Sequence, residues 1–360
     1  MPDSRLTIID IAREAGVSSA TVSRVLSKHP NVSAPTASRV RAVVDKYGYQ
    51  PNSIARGLLQ RQSHVLGIIM PDIKHPYYAG IFSAAQREAE GAGAVVQLYR
   101  LEYNGSVTEE FIRRLIERRL DGTLLTGGFI ESPNARELPA VLGRLRQYMP
   151  IVTIGPEIPG FECARVWPDL PNGVRRAVDH LAGLGHKRIA FIGATTDTRS
   201  VGEREQGFRE GCERLGIEAM LYNESIHHPA KGEESAVRLL DGLPKNRWPT
   251  AVMVINDLMA LGVLKGLRTL GLTVPDDMAV VGCDNQFFSA FTDPPLTTLN
   301  LNAEELGRLA MRQLISGTSA PFVNAPEPIV VDPGLIIRES CGARRREAQM
   351  LAAESALKAV

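Results

Sequence analysis

No stretch of about 18 apolar residues occurs in this sequence, so no membrane-spanning helix is expected. The opening stretch MPDSRLTIIDIAREAG lacks the continuous apolar segment of a secretion signal and reads as a helix, so a cytoplasmic protein is expected. Cysteine is scarce. Cys163, Cys212, Cys283 and Cys341 lie tens of residues apart, with no Cys-x-x-Cys and no histidine at ligand spacing. They predict buried thiols, and neither a zinc site nor a disulfide scaffold. Catalytic signatures are missing as well: no G-x-x-x-x-G-K-[ST], no H-E-x-x-H, no G-x-S-x-G and no G-x-G-x-x-G after a strand. Gly262 and Gly266, inside a helix, read as packing. An enzyme is disfavoured, and no cofactor or metal is expected.

Charge of one sign is also missing overall: 41 Lys and Arg stand against 40 Asp and Glu, for a net charge of +1. That average hides a split. Residues 1–62 carry nine basic and four acidic side chains, a surplus of +5, and the remaining 298 residues carry −4. Such asymmetry suggests a small basic module joined to a larger, slightly acidic body. The length of 360 residues, 44% hydrophobic and 22% charged, fits a globular chain of two or three domains.

The first fifty residues read as three short helices. Thr7 and Asp10 have capping-box spacing, with Ile8, Ile11, Ala12 and Ala15 on one helical face. Gly16 ends that helix, and Ser18 caps a second, whose buried stripe is Val22, Val25 and Leu26. Ser33 caps a third, with Pro35 in its first turn and Val40, Val43, Val44 and Tyr47 inward. Helix, tight turn, helix is the signature of a helix-turn-helix module, whose second helix enters the major groove of DNA. Ser19, Ala20, Ser23 and Arg24 then point outward, where Arg24 suits guanine O6 and N7 and Ala20 a thymine methyl.

From Val65 the pattern changes to short apolar runs alternating with helices. VLGIIM (65–70), AVVQLY (94–99), DGTLLTGG (121–128) and PIVTIG (150–155) alternate with helices at 77–93, 107–119 and 135–147. After Pro168 come helices 172–184, 202–215, 232–242 and 257–270, with strands at 188–193, 219–223, 251–256 and 278–284. This rhythm predicts two successive α/β lobes with parallel sheets and a ligand cleft at the carboxyl ends of the strands.

The strings TIIDIAREAGVSSATVSRVLS (7–27) and YGYQPNSIARGL (47–58) resemble the lactose-repressor (LacI/GalR) family of bacterial transcription regulators. So do VLGIIMPDIKHPYY (65–78), LGHKRIAFIGA (184–194), E-R-x-x-G-F (203–208), IND (255–257), VPDDMAVVGCDN (274–285) and PPLTTL (294–299). The likeness spans about residues 6–340. It implies an all-α helix-turn-helix headpiece at 1–50, a hinge helix and linker at 51–62, and a two-lobed, periplasmic-binding-protein-like effector domain at 63–340. Lobe 1 is expected at about 63–162 and 294–328, lobe 2 at about 163–293 and 329–340, and a loose tail at 341–360.

The resemblance also implies partners and site residues. The partner is double-stranded operator DNA, palindromic and CpG-centred, bound by a homodimer. Thr7, Ser18, Ser19, Ala20, Thr21, Ser23, Arg24 and Asn31 would face it. In the hinge, Asn52 would cap the helix, Ala55 would face the other copy and Leu58 would wedge into the minor groove, kinking the duplex. A helix that short, containing Gly57, is marginal in water, so residues 51–61 are expected to be unfolded without DNA.

In the cleft, Arg204 stands where the family grips its ligand, and Asn256 and Asp284 match two other polar contacts. Asp72, Tyr77 and Tyr78 fall at the first strand-to-helix turn. The sequence also departs from the family pattern. Thr126 replaces an asparagine, Gly155 an aspartate found in some members, and His227 and Cys283 stand where aromatic residues are usual. Arg199 is expected to add a second positive charge beside Arg204, which would suit a sugar acid, with a neutral sugar or a sugar phosphate as the other candidates. The expected function is a repressor of carbohydrate or sugar-acid catabolism genes, controlled through linkage between cleft and operator. A sugar-binding transport protein without a DNA role is the alternative, opposed by residues 1–62, and an enzyme of sugar metabolism is the third reading.

Overall fold

The computed structural model describes residues 6–26, 31–49, 63–102, 107–131, 137–194, 198–224, 227–319 and 325–343. The chain separates into two units, Met1–His64 and Val65–Val360.

In the first unit, α1 (Ile8–Glu14), α2 (Ser19–Leu26) and α3 (Ala34–Tyr47) enclose a small core of Ile11, Ala12, Ala15, Val22, Val25 and Val40. The capping box is present: the Thr7 hydroxyl accepts from the Asp10 N–H, and the Asp10 carboxylate accepts from the Thr7 N–H at 2.9 Å. Ser18 caps α2, its Oγ accepting the Thr21 N–H at 3.2 Å. Ser33 stands at the N-cap of α3 without a side-chain bond to the helix backbone, because its hydroxyl donates to Thr36. One expectation fails: Tyr47 is 39% exposed. It is the last residue of α3, and its hydroxyl reaches Glu14 at 3.1 Å instead of the core. Gly48 then turns left-handed (φ 58°), and Tyr49 packs against the core in its place.

The second unit holds two six-stranded sheets. The first comprises β1 (Val65–Met70), β2 (Val95–Arg100), β3 (Gly122–Thr126), β4 (Ile151–Ile154), β5 (Ala164–Pro168) and β11 (Ile329–Val331). Its order is β11-β5-β4-β3-β1-β2, with every pair parallel. Helices α4 (Pro76–Gly91), α5 (Glu109–Glu117), α6 (Leu138–Leu145) and α11 (Ala303–Ser319) belong to this lobe. Strand β1 shows why its sequence is apolar throughout: Leu66, Ile68 and Met70 join the core on one face of the sheet and Ile69 the core on the other.

The second sheet comprises β6 (Arg188–Ala194), β7 (Glu218–Asn223), β8 (Ala251–Val254), β9 (Ala279–Cys283), β10 (Thr297–Asn300) and β12 (Gly334–Ile336). Its order is β12-β10-β9-β8-β6-β7, parallel except that β12 runs antiparallel to β10. Helices α7 (Leu170–Gly183), α8 (Arg199–Arg214), α9 (Pro229–Leu240) and α10 (Asp257–Thr269) pack around it. Among the described residues, no helix is long and apolar enough to cross a membrane.

Hydrogen bonding redraws the expected lobe boundaries. β5 pairs with β4 and β11 with β5, so residues 164–168 and 329–331 belong to the first lobe. β10 pairs with β9, so residues 297–300 belong to the second. The chain therefore crosses between lobes three times, after β5, after β10 and after β11. The expected tail also starts too early, since Cys341 and Ala343 are buried in the second lobe's core.

Candidate functional site

On the first unit, the outward surface of α2 carries Ser19, Ala20 and Arg24, all exposed, with Ser18, Thr7 and Asn31 exposed on the adjoining segments. Thr21 and Ser23 are half-buried. For Ser23 this corrects the outward placement expected: it is the immediate neighbour of the buried Val22 and lies at the edge of the face. The hydroxyls of Thr7 and Ser18 are already engaged in the helix caps. The start of a second helix presenting small polar groups and an arginine is the geometry of a major-groove reader. Asn52, Ala55 and Leu58 lie outside the described residues.

Within the second unit, a cavity of about 380 Å³ opens between the carboxyl ends of the two sheets. The first lobe lines it with Asp72, His75, Tyr77, Tyr78, Thr126 and Glu131, and with Trp167 at the end of β5; the second contributes Ser200, Arg204, His227, Asn256 and Asp284. Gly127 also belongs to the wall: with φ 117°, and with Pro71 within 2.4 Å of any Cβ built there, only glycine fits. Eight of the nine expected residues thus converge. Arg199 does not: it donates to the Glu157 carbonyl at 2.7 Å and is absent from the lining. Five positions along α8 place it about 140° around the helix from Arg204, so the two cannot share a face.

The backbone delivers these groups under restraint. Asp284 (φ 110°) and Asn285 (φ 53°) are consecutive non-glycine residues with left-handed φ. They are held there by Asp284 N–H to the Leu299 carbonyl at 2.8 Å, Asn285 N–H to Thr298 Oγ1 at 3.2 Å and Arg338 to Asn285 Oδ1 at 2.8 Å. Strain kept by such over-determination is typical of binding sites. Buried Asp257 accepts from Ser289, Thr298 and the Gln286 N–H at 2.6, 2.6 and 2.7 Å, fixing the same loop. Asn256 caps α10 with its carbonyl oxygen, 2.7 Å from the Met259 N–H, which leaves its NH₂ donor for a ligand.

Burial reshapes the charges. It pushes the His75 pKa down to about 4, helped by His227 and Arg204 and opposed by Asp72. His227 is lowered for the same reason, against the pull of the Gly193 and Glu224 carbonyls. Burial raises Glu131, partly offset by Ser200 and Arg204. It raises Asp284 well above the usual carboxylate range, and the neighbouring Asp257 adds to that. Burial works against the charge of Arg204, but Cys283 and Asp284 outweigh it. Burial thus pushes the cleft's histidines toward their neutral form and the Glu131 and Asp284 carboxyls toward theirs, and leaves Arg204 as the firm cation. Among the described residues, no group of three His, Cys, Asp or Glu is placed to hold a metal.

Comparison with known proteins decides the family. Residues 7–52 match the family described as bacterial regulatory proteins, lacI family, and residues 178–341 a periplasmic binding protein-like domain. The HTH-type transcriptional repressor CytR of Escherichia coli K12 is 32% identical over 342 residues, covering 94% of this chain and 97% of its own. The chain belongs to the lacI family of bacterial regulatory proteins. Two solved structures that this chain resembles are a lac repressor dimer bound to operator and the anti-inducer ONPF, and a complex of the transcriptional regulator CelR with cellobiose. The first has a TM-score of 0.84 at 26% identity, covering 94% of this chain and 99% of that one. The second has a TM-score of 0.65 at 28% identity, covering 93% and 100%. The lacI-family assignment makes this chain a DNA-binding transcription regulator with an effector-binding domain, and not an enzyme.

Four side chains that line the cleft of this lacI-family chain are missing from the sequence expectations, two of them despite a signal. His75 was visible in the string KHPYY: a histidine before proline at a helix start is a candidate cap, and its Nδ1 accepts the Tyr77 N–H at 3.3 Å. Ser200 sits four residues before Arg204, on the same helical face. Glu131 and Trp167 carry no sequence signal, because only the packing of the lobes brings them to the cavity.

Proposed function

We propose that this regulator is a dimeric cytoplasmic repressor of carbohydrate catabolism genes. It reads a palindromic, CpG-centred operator through Ser19, Ala20 and Arg24, with Leu58 as the minor-groove wedge. A neutral, hydroxyl-rich effector such as a sugar occupies the cleft. The observation that carries the effector reading is Arg204, whose Nε is buried with no partner among the described residues and whose side chain lines the cavity. An unmet buried donor costs about 1–3 kcal/mol, which a ligand hydroxyl would offset. A sugar acid or phosphate is disfavoured. Arg199 is engaged elsewhere, burial pushes both histidines toward their neutral form, and Asp72, Glu131 and Asp284 line the same cavity as the single arginine. The cellobiose in the CelR structure is of the neutral class.

Phe287 and Phe291, 77% and 83% exposed on one short turn, support a second copy covering that surface. The operator-bound lac repressor is itself a dimer. The test of the effector reading is a thermal-shift panel of neutral sugars, sugar acids and sugar phosphates against wild type and Arg204→Ala. A neutral sugar should raise the Tm of wild type and leave the variant unmoved. A ligand that stabilises both equally, or stabilisation by acids alone, would overturn it.

A further inference from the structure

The start of α8, on the second lobe, is bonded to the first lobe at three points. Ser200 N–H donates to the Glu131 carboxylate at 3.1 Å. Arg199 donates to the Glu157 carbonyl at 2.7 Å. Trp167, on β5, donates its indole N–H to Glu203 at 3.0 Å. These bonds join the segments that follow β3 and β4, and the end of β5 itself, to the first turn and a half of a single helix. The same helix carries Arg204, whose guanidinium folds back onto the Ser200 carbonyl at 3.0 Å. Ser200 is thus held from both sides, by Glu131 of the opposite lobe through its N–H and by Arg204 through its carbonyl.

Glu131 is the unusual member of this set. It is buried, at 9% exposure, and it accepts its hydrogen bond from Ser200 of the other lobe. Burying a carboxylate is unfavourable unless it is paired and hydrogen-bonded. Here α8 offsets part of that cost, since its first N–H groups have no partners within the helix and its dipole favours a negative charge, while burial still raises the Glu131 pKa. Gly155 is part of the arrangement: a Cβ there would lie 2.8 Å from Ile130 Cδ1, pressing on the short turn that delivers Glu131.

We propose that Glu131 is the clasp of the cleft, the carboxylate that holds the two lobes together before any effector arrives and sets how readily the cleft opens. The proposal rests on reading the cleft as the effector site, because Glu131 lines the same cavity. A clasp that populates the closed arrangement lowers the cost an effector meets on binding, since apparent affinity scales with the fraction of competent molecules. It also ties Arg204 and the lobe contacts into one unit, so an effector pulling on Arg204 acts on the hydrogen bond that joins the lobes. Glu131 is a positioning residue here, whatever direct contact it makes with the effector.

The chain supplies its own reporter. Trp167 bonds across the lobes, and the only other tryptophan in the sequence is Trp248. In a full-length Trp248→Phe background without effector, Glu131→Ala, which leaves no acceptor for the Ser200 N–H, should red-shift Trp167 emission and raise its acrylamide quenching about twofold or more, as the population shifts toward open lobes. Arg199→Ala, which removes the second bond, should move both readouts in the same direction by less. Glu157→Ala should leave them unchanged, because that residue contributes only its backbone carbonyl. Circular dichroism and thermal melting establish that each variant is folded; if Glu131→Ala fails to fold, Arg199→Ala against Glu157→Ala carries the test. Unchanged emission and quenching in a folded Glu131→Ala, or equal responses of Arg199→Ala and Glu157→Ala, would overturn the clasp. These readouts need no effector, so they stand apart from the thermal-shift panel. A silent panel with a responsive Trp167 would count against the effector reading alone, and the reverse against the clasp alone.

Discussion

The headpiece and the cleft solve opposite problems with the same kinds of residue. On α2 the groups that would meet a partner are exposed, and the caps and core beneath them are complete without it. In the cleft most of the corresponding groups are buried or half-buried, the charges of several are shifted, and an arginine donor is left unmet. A surface that reads DNA can be finished before the DNA arrives, because the partner is large and brings its own charge. A site for a small molecule must be nearly closed around it, so the protein carries the cost of desolvation in advance. Substitutions in the first region should therefore change affinity and spare stability, whereas substitutions in the second should change both.

The largest effect is expected for Arg204→Ala. Removing one partner from a buried charged cluster typically costs about 3–5 kcal/mol, so effector affinity should fall beyond detection by calorimetry while the Tm also drops. An unchanged Tm would blur the contrast between the regions. Next comes Arg24→Ala, which should weaken operator binding by about 1–3 kcal/mol and relax preference at one base pair. Its melting curve should stay within about 0.5 kcal/mol of wild type, as for other exposed sites. A large loss of stability there would break the comparison from the other side.

A smaller effect is expected from Thr7→Ala. The hydroxyl is spent on the capping box, so the substitution should cost the headpiece about 1 kcal/mol, read by chemical denaturation, with little change in sequence preference.

The pH dependence of His75 gives the finest test. Its folded pKa of about 4 lies below the 6.5 of the unfolded chain. As pH falls through that window, the unfolded state takes up a proton that the folded state refuses, so stability is lost; above it the residue contributes nothing. His75→Asn keeps a capping side chain without a titrating group. The gap between variant and wild type should therefore widen from pH 6.5 down to about 4 and be flat above. His227 titrates in the same sense, whereas the raised carboxyls Glu131, Asp257 and Asp284 act oppositely. The difference between the two proteins is thus the quantity to follow.

How much of this was legible beforehand depended on the range of the interactions. The helix-turn-helix, its Thr7–Asp10 cap and the alternation of strands and helices follow from local spacing, and the motif residues at strand ends do meet at one cavity. The lobe boundaries were misread because β5, β10 and β11 are only three to five residues long: β5 and β10 each stay with the strand before them, and β11 joins β5 from far away in sequence. Glu131 and Trp167 were invisible for the same reason. The Arg199 error was avoidable, since helical geometry already separates it from Arg204.

The central claim is that an exposed headpiece face reads a specific sequence and the cleft controls it. The most direct measurement is a fluorescence-anisotropy titration of the full-length protein. It compares palindromic, CpG-centred duplexes with scrambled duplexes of the same composition, over about 50–200 mM salt. The account predicts binding to the palindrome at least about a thousandfold tighter than to the scramble. Both affinities should fall as salt rises, and the effector found in the thermal-shift panel should change affinity for the palindrome alone. Equal affinity for the two duplexes, unchanged by that effector, would contradict it.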